Sequence, residues 1–334
     1  MKLKHLILAV AAAATLSAHA ANSINLGNYA VTGTYALDIL GGTGGGVSGL
    51  EASAVTYARD RGTLFFVGDE GTGVVEISLT GQTLGSMTFN WTNTDSIKHD
   101  TEGLTYLGGG NLVVTEERLY DAYRFNYVAG GSANLATRSV SISNANVGNS
   151  GLEGISYDQR DGSFVTIKQE NPQDILAGKL TFTAGTVGAT GTSTMATLFN
   201  PTLMGLSALS DVQTLSSIDS FAGTAAADNL LVLSLGSRKL IEVDRSGQVI
   251  SSFDLSGVLA NNGIEGVTVD EKGTIYLVAE QLQDQYAVGI VNPKSQLIVL
   301  SAPVPEPETY AMMLAGVGLL RFVSRRKKQP SQSV

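Results

Sequence analysis

A five-residue phrase returns along this chain and limits what it can fold into. It reads Glu102-Gly103-Leu104-Thr105-Tyr106, Glu153-Gly154-Ile155-Ser156-Tyr157 and Glu265-Gly266-Val267-Thr268-Val269. Weaker copies stand at Ser53-Ala54-Val55-Thr56-Tyr57 and Ser210-Asp211-Val212-Gln213-Thr214. The copies start at positions 53, 102, 153, 210 and 265, so successive starts lie 49, 51, 57 and 55 residues apart. A period of roughly 50 residues marks an array of supersecondary units. Each copy runs into a turn and then an apolar stretch: Leu64 to Val67, Leu112 to Val114, Phe164 to Ile167, Leu230 to Leu233 and Ile275 to Val278. Short runs rich in Val, Ile, Tyr and Thr, bounded by Arg61-Gly62, Asp161-Gly162 or Lys272-Gly273, are strand and turn signals.

A second hairpin follows in at least two units, where Val74-Val75-Glu76-Ile77-Ser78 and Leu240-Ile241-Glu242-Val243-Asp244 turn at Gly81 and Gly247. Four strands per unit make the blade of a propeller. No apolar residues at helical spacing occur between the termini, which argues against the helical solenoids of similar period. The expectation is an all-β propeller of five blades, or six if residues 24–50 and 285–302 supply more than one shared closing blade. Tyr29 to Ile39 reads as a strand that pairs beside Leu297 to Leu300, closing the ring and hiding both edges. Residues 21–302 are expected to form this one domain, and the glycine run from Gly41 to Gly46 is a flexible connector.

Both ends carry targeting features. Lys2 and Lys4, the apolar stretch from Leu6 to Leu16 and Ala18-His19-Ala20 make the three parts of a secretory signal peptide over residues 1–20, with cleavage after Ala20. Export through the Sec translocon follows. The chain has no cysteine, so in an oxidising compartment the core holds the fold without disulfides. Residues 303–334 are also tripartite: Pro305-Glu306-Pro307, an apolar stretch from Tyr310 to Val323 broken by Arg321, and the basic cluster Arg325-Arg326-Lys327-Lys328. As a helix the 14 residues from Tyr310 to Val323 would span roughly 21 Å, short of the ~30 Å hydrocarbon core, as a short transmembrane helix. The basic cluster stays cytoplasmic and the propeller faces the periplasm.

Charge narrows the partners. Residues 21–302 hold 14 Lys and Arg against 28 Asp and Glu, a balance of −14 that repels nucleic acid and anionic lipid. Cations, neutral glycans and basic proteins remain as ligands.

Aligned repeats show two recurrent acidic positions. Glu102, Glu153 and Glu265 start the first strand of their hairpins, while Glu70, Glu117, Glu170 and Glu280 end the second, with Gly236 in the fourth unit. In a hairpin these positions lie at one end, so seven carboxylates are expected at one channel mouth. Like charges held this close raise one another's pKa or recruit a cation, and a hard ion such as Ca²⁺ suits oxygen ligands. A structural reading stands beside it: a Glu at a strand start accepts backbone N–H groups of the next blade, and Arg118, Lys168 and Arg238 neutralise several of the set. His99 is the sole histidine after residue 20, too few for a His-rich zinc site, and reads as a solvated loop residue. Trp91, Tyr120, Tyr123, Tyr127 and Tyr286 are either core or the lining of a glycan groove.

Two resemblances emerge from these residues. Asp100-Thr101-Glu102-Gly103 running on to Val114-Thr115-Glu116-Glu117-Arg118, then Gly151-Leu152-Glu153-Gly154, Lys168-Gln169-Glu170-Asn171-Pro172, Ser237-Arg238-Lys239 and Ile264-Glu265-Gly266-Val267, resemble the SdiA-regulated (YjiK-like) family of exported β-propellers. That family commonly keeps an acidic residue near Leu235-Gly236, which this chain lacks. The C-terminal order of Pro-Glu-Pro, apolar stretch and basic cluster resembles the PEP-CTERM sorting signal, which implies processing by an exosortase and release to the cell surface or extracellular matrix. Three functions stay open: a binding module, a cation-dependent hydrolase of esterase, lactonase or phosphoesterase type, and a structural matrix component. Binding is the leading one.

Overall fold

The computed structural model describes residues 23–37, 46–49, 51–143, 150–185, 187–281 and 294–302. The proposed signal peptide, Tyr286, the Pro305-Glu306-Pro307 segment and the basic cluster lie outside the described residues, and so does the apolar C-terminal stretch. No helix among the described residues is long and apolar enough to cross a membrane.

Five sheets of four or five strands stand around one axis as the blades of a propeller, antiparallel throughout except where Ser132–Asn134 adds to blade 1 parallel to Thr83–Asn90. Their innermost strands are Ala52–Ala58, Thr101–Gly108, Leu152–Asp158, Leu209–Thr214 and Ile264–Val269, which touch in that order and return from the fifth to the first. The sequence repeat and the blade are thus the same unit, and five is the count. The second strands, Thr63–Gly68, Asn111–Glu116, Ser163–Lys168, Leu230–Ser234 and Ile275–Ala279, are almost wholly buried. This is why they read as unbroken apolar runs: both faces of a central blade strand meet a neighbouring blade. The outermost strand of blade 4, Val249–Asp254, alternates exposed and half-buried residues instead.

The core is divided among the spaces between blades, with one hydrophobic cluster in each. Blades 1 and 2 share Phe65, Val67, Trp91, Leu112 and Tyr123. Blades 3 and 4 share Val165, Ile167, Ile175, Val212 and Val232. Each fully buried Leu, Ile or Phe contributes about 2 kcal/mol of transfer free energy, so the ring is held by contacts between repeats. Trp91, Tyr120, Tyr123 and Tyr127 belong to these clusters at 9, 4, 0 and 7% exposure, so they serve the core, and Trp91 also borders an open cavity of about 680 Å³.

Ring closure follows the expected pairing. Ala30–Ala36 is the outermost strand of blade 5, antiparallel to Gln296–Ser301 from Ala30 opposite Ser301 to Ala36 opposite Gln296. Just before it, the fully buried Glu242 of blade 4 accepts hydrogen bonds from the Ser23 hydroxyl, Ile24 N (3.1 Å), Asn229 Nδ2 (2.8 Å) and Ser251 Oγ (2.9 Å). The start of the described chain is therefore fastened to blade 4 and then paired into blade 5.

Candidate functional site at the carboxylate mouth

The first residue of the phrase has a structural meaning in every blade. The pairing of the first two strands skips a residue between Ala52 and Ala54, Thr101 and Gly103, Leu152 and Ile155, Leu209 and Asp211, and Ile264 and Gly266. Each skip is a β-bulge, which re-aims a side chain and tightens strand twist. Ser53, Glu102, Ser210 and Glu265 are the extra residues of blades 1, 2, 4 and 5, and the bulge of blade 3 spans Glu153 and Gly154. The glycine that follows the glutamate has its own reason. A Cβ on Gly103 would lie 2.7 Å from the Glu153 carbonyl oxygen, one on Gly154 2.7 Å from Asp211 Cα, and one on Gly266 2.9 Å from Ala54 Cα. Neighbouring inner strands approach so closely at the bulge that no side chain fits.

These bulges open onto a cavity of about 240 Å³ at one mouth of the channel. Its lining is wholly polar: Ser53, Asp69, Asp100, Glu102, Glu117, Arg118, Glu153, Gln169, Glu265 and Glu280. Five of the glutamates singled out in the sequence come together here. Glu70 and Glu170 do not line it, because the ladder fixes the equivalent positions one residue earlier: Asp69 N donates to Glu51 O, and Gln169 N to Gly151 O, as Glu117 N does to Asp100 O and Glu280 N to Gly263 O. Glu70 lies beside the cavity, with its Oε1 accepting from Ser48 Oγ at 2.6 Å and its carboxylate grouped with those of Glu51 and Asp69. Glu170 engages Lys168, whose ammonium reaches the Glu170 carbonyl.

Asp69 and Asp100 were missed by repeat alignment, and both are central. One oxygen from each of Asp69, Asp100 and Glu102 lies within 4.8 Å of the others, a spacing that suits a shared cation. Arg118 is the basic residue of the cavity lining and sits 2.6 Å from Asp100. Arg238 is turned elsewhere and caps the carbonyls of Val258, Leu259 and Asn262. His99 is a half-buried loop residue on the edge of an open cavity, where its ring stacks on Trp91 at 4.9 Å and 10°.

The structural role expected of the glutamates at the strand starts falls to Asp211 and Glu117. Asp211, buried in blade 4, accepts from Val267 N of blade 5 at 2.7 Å and from its neighbour Val212 N at 2.7 Å. Glu117 accepts from Gly151 N at 3.0 Å. Among the described residues, Glu102, Glu153 and Glu265 have no hydrogen-bond or ion-pair partner, although Glu153 is only 6% exposed. Their protonation reflects this. Burial first, then the charges of Glu153, Glu265, Asp100 and Glu117, push the Glu102 carboxyl well above the usual range. Burial and then Glu117, Glu265 and Asp100 do the same to Glu153. Glu265 rises to about 8 through burial, then Glu280, Asp69 and Glu51. Burial followed by Glu51 takes Asp69 to about 8, and burial takes Glu117 to about 7 against the Gly151 hydrogen bond.

Sequence comparison joins this geometry to a family. The profile of the SdiA-regulated family matches residues 31–282. The chain belongs to that family. In this SdiA-regulated propeller the match runs from the closing strand to just beyond Glu280, so the whole carboxylate mouth lies within it. A second match, the PEP-CTERM protein-sorting motif, covers residues 303–328 and implies export with exosortase-dependent sorting. Among solved structures the SdiA-regulated propeller is similar to a glutaminyl cyclase from Myxococcus xanthus, with 10% identity, 83% of this chain and 97% of that chain covered, and a TM-score of 0.48. It is also similar to a luciferin-regenerating enzyme, with 11% identity, coverage of 80% and 94%, and a TM-score of 0.45.

Proposed function

We propose that this protein is an exported binding propeller that holds a divalent cation in its carboxylate mouth and uses it to capture a ligand. The observation that carries the reading is Glu153, buried and without a partner, facing Glu102, Glu265, Asp69 and Asp100 across one polar cavity. Burying an anion beside other anions costs several kcal/mol unless a cation or protons compensate. The donors are all oxygens, which favours Ca²⁺ with its six to eight oxygen ligands over a thiolate- or imidazole-seeking metal. Asp69, Asp100 and Glu102 would hold the ion, with Glu117, Glu153 and Glu265 as the remaining anionic wall. Bound there, Ca²⁺ would supply positive charge to polarise or anchor an oxygen of the ligand.

Delivery follows from the termini. Signal-peptide cleavage after Ala20 releases a Sec-exported chain, the stretch from Tyr310 to Val323 holds it at the inner membrane facing the periplasm, and an exosortase acting on the tail passes it to the cell surface or matrix.

The test is thermal unfolding of the mature protein with and without Ca²⁺. A ligand that binds only the native state stabilises it by mass action, so 1 mM Ca²⁺ should raise the melting temperature by about 5 °C or more and EDTA should reverse it. Glu153→Gln should shrink that rise. A melting curve indifferent to both Ca²⁺ and EDTA, with no metal in the purified protein, overturns the reading.

A further inference from the structure

The opposite mouth of the channel is built differently. There the fourth residue of each phrase ties one blade to the next. Thr56 Oγ1 accepts from Tyr106 N (3.0 Å), Thr105 Oγ1 from Tyr157 N (3.0 Å), Ser156 Oγ from Thr214 N (2.9 Å) and Thr268 Oγ1 from Tyr57 N (3.0 Å). Thr268 Oγ1 in turn donates to Gln213 Oε1 (3.1 Å), which completes the circle. Outside this ring lies an open cavity of about 550 Å³, lined by Arg59, Tyr106, Tyr157 and Gln159 among others. The same four residues also line an adjoining recess of about 20 Å³, room for a single hydroxyl or water, whose lining adds Tyr57, Ser217 and Glu271.

One wall of this cavity breaks the repeat. In the other blades the first two strands join by tight turns, such as Ala58 to Thr63 and Asp158 to Ser163, but blade 4 inserts Leu215 to Asn229 as three 3₁₀ turns. The insertion is fixed across the mouth: Arg59 of blade 1 pairs with Asp219 at 2.8 Å, and Asp219 N donates to Glu271 O of blade 5 at 2.9 Å. It brings Ser217 to the recess. Ser217 Oγ and Glu271 Oε2 are both buried there without a hydrogen-bond partner, although the Glu271 carboxylate also accepts from the Tyr57 hydroxyl. Buried polar atoms left unmade are costly, so atoms of this kind mark where a ligand or water completes them.

We propose that this second mouth binds a neutral saccharide unit. Glu271 Oε2 needs a donor, Ser217 Oγ can give or take, and the exposed Gln159 amide offers both, which is what vicinal hydroxyls match. Tyr57 and Tyr157, both half-buried, supply apolar bodies with polar tips that cover the C–H surface of a sugar, while Tyr106 backs them from the core. Asp219 pairs with Arg59, the basic residue among the described lining residues, and Asp60 adds an acid, so the site does not select an anion, and the open cavity has room for one or two sugar rings.

Saturation-transfer NMR on the mature protein tests this, with glucose, galactose, N-acetylglucosamine and maltose as probes. At least one should show transfer. Gln159→Ala combined with Ser217→Ala should weaken that binding about tenfold, two hydrogen bonds' worth, as should Glu271→Gln alone. Glu153→Gln, at the other mouth, should leave it unchanged, which separates this site from the cation site. No transfer from any of the four probes, or transfer undiminished in both second-mouth variants at unchanged melting temperature, overturns the proposal.

Discussion

At the hydroxyl end of the channel, Thr56, Thr105, Ser156 and Thr268 each have a partner across a blade boundary. At the glutamate end, Glu102, Glu153 and Glu265 have none among the described residues. The two ends come from the same five strands, three residues apart within one phrase. One end uses these polar atoms to join the ring, and the other leaves three glutamates crowded and unpaired beside a Glu117 that still accepts from Gly151 N and an Asp100 held by Arg118. The difference separates stability from function inside a single repeat: the fourth residue explains how the propeller holds together, and the first has no such use.

That contrast can be broken at several points. The largest effect is expected from Gly154→Ala, whose new Cβ would meet Asp211 Oδ1 at 2.3 Å and Asp211 Cα at 2.7 Å. Because the backbone of the next blade must move, a loss of about 3 kcal/mol or more should appear in urea unfolding. A milder loss would mean that the inner strands slide freely past each other.

Next comes pH. Glu265 and Asp69, at about 8, and Glu117, at about 7, bind protons in the folded state that the unfolded chain releases near pH 4. Their stabilising contribution is complete below about pH 4 and is lost as pH rises through 7 to 8. With EDTA present the melting temperature should fall by roughly 5 °C between pH 5 and pH 8.5, and Ca²⁺ should flatten the slope. A metal-free protein that grows more stable over this range would show that the glutamates are compensated after all.

Smaller and opposite changes are expected from one substitution at each end. Glu153→Gln removes a crowded charge and should stabilise the metal-free protein by about 1 kcal/mol. Ser156→Ala strands Thr214 N and should cost about 1 kcal/mol or less, with no effect on the Ca²⁺ response. Equal signs for the two would erase the distinction between the mouths.

Much of this was legible in the sequence. Spacing and apolar runs sufficed for the blades, because burial on both faces leaves a continuous signature in strands such as Leu230–Ser234. The closing strand was visible for the same reason. Register was harder. Matching carboxylate to carboxylate placed Glu70 and Glu170 in the ring, whereas the backbone ladder places Asp69 and Gln169 there. Counting residues outward from the hairpin turn would have found Asp69 and Asp100. The threonine latches were invisible because Thr in a strand is unremarkable until the neighbouring blade is known. Likewise Leu215 to Asn229 showed only as a wider spacing, with nothing to say which mouth it covers.

The joining of Ala30–Ala36 to Gln296–Ser301 also sets an order in time. A chain that emerges from a pore N-terminus first delivers the closing strand at the outset and its partner at the end. The earliest strand must wait, unpaired, until the last blade arrives, and its contact is among the most distant in the chain, the kind that forms slowly. Completion thus comes last on the outside: a chain cut short before Gln296 keeps the inner contact of Ile264–Val269 with Ala52–Ala58 but lacks the strand that receives Ala30–Ala36, so blade 5 stays incomplete.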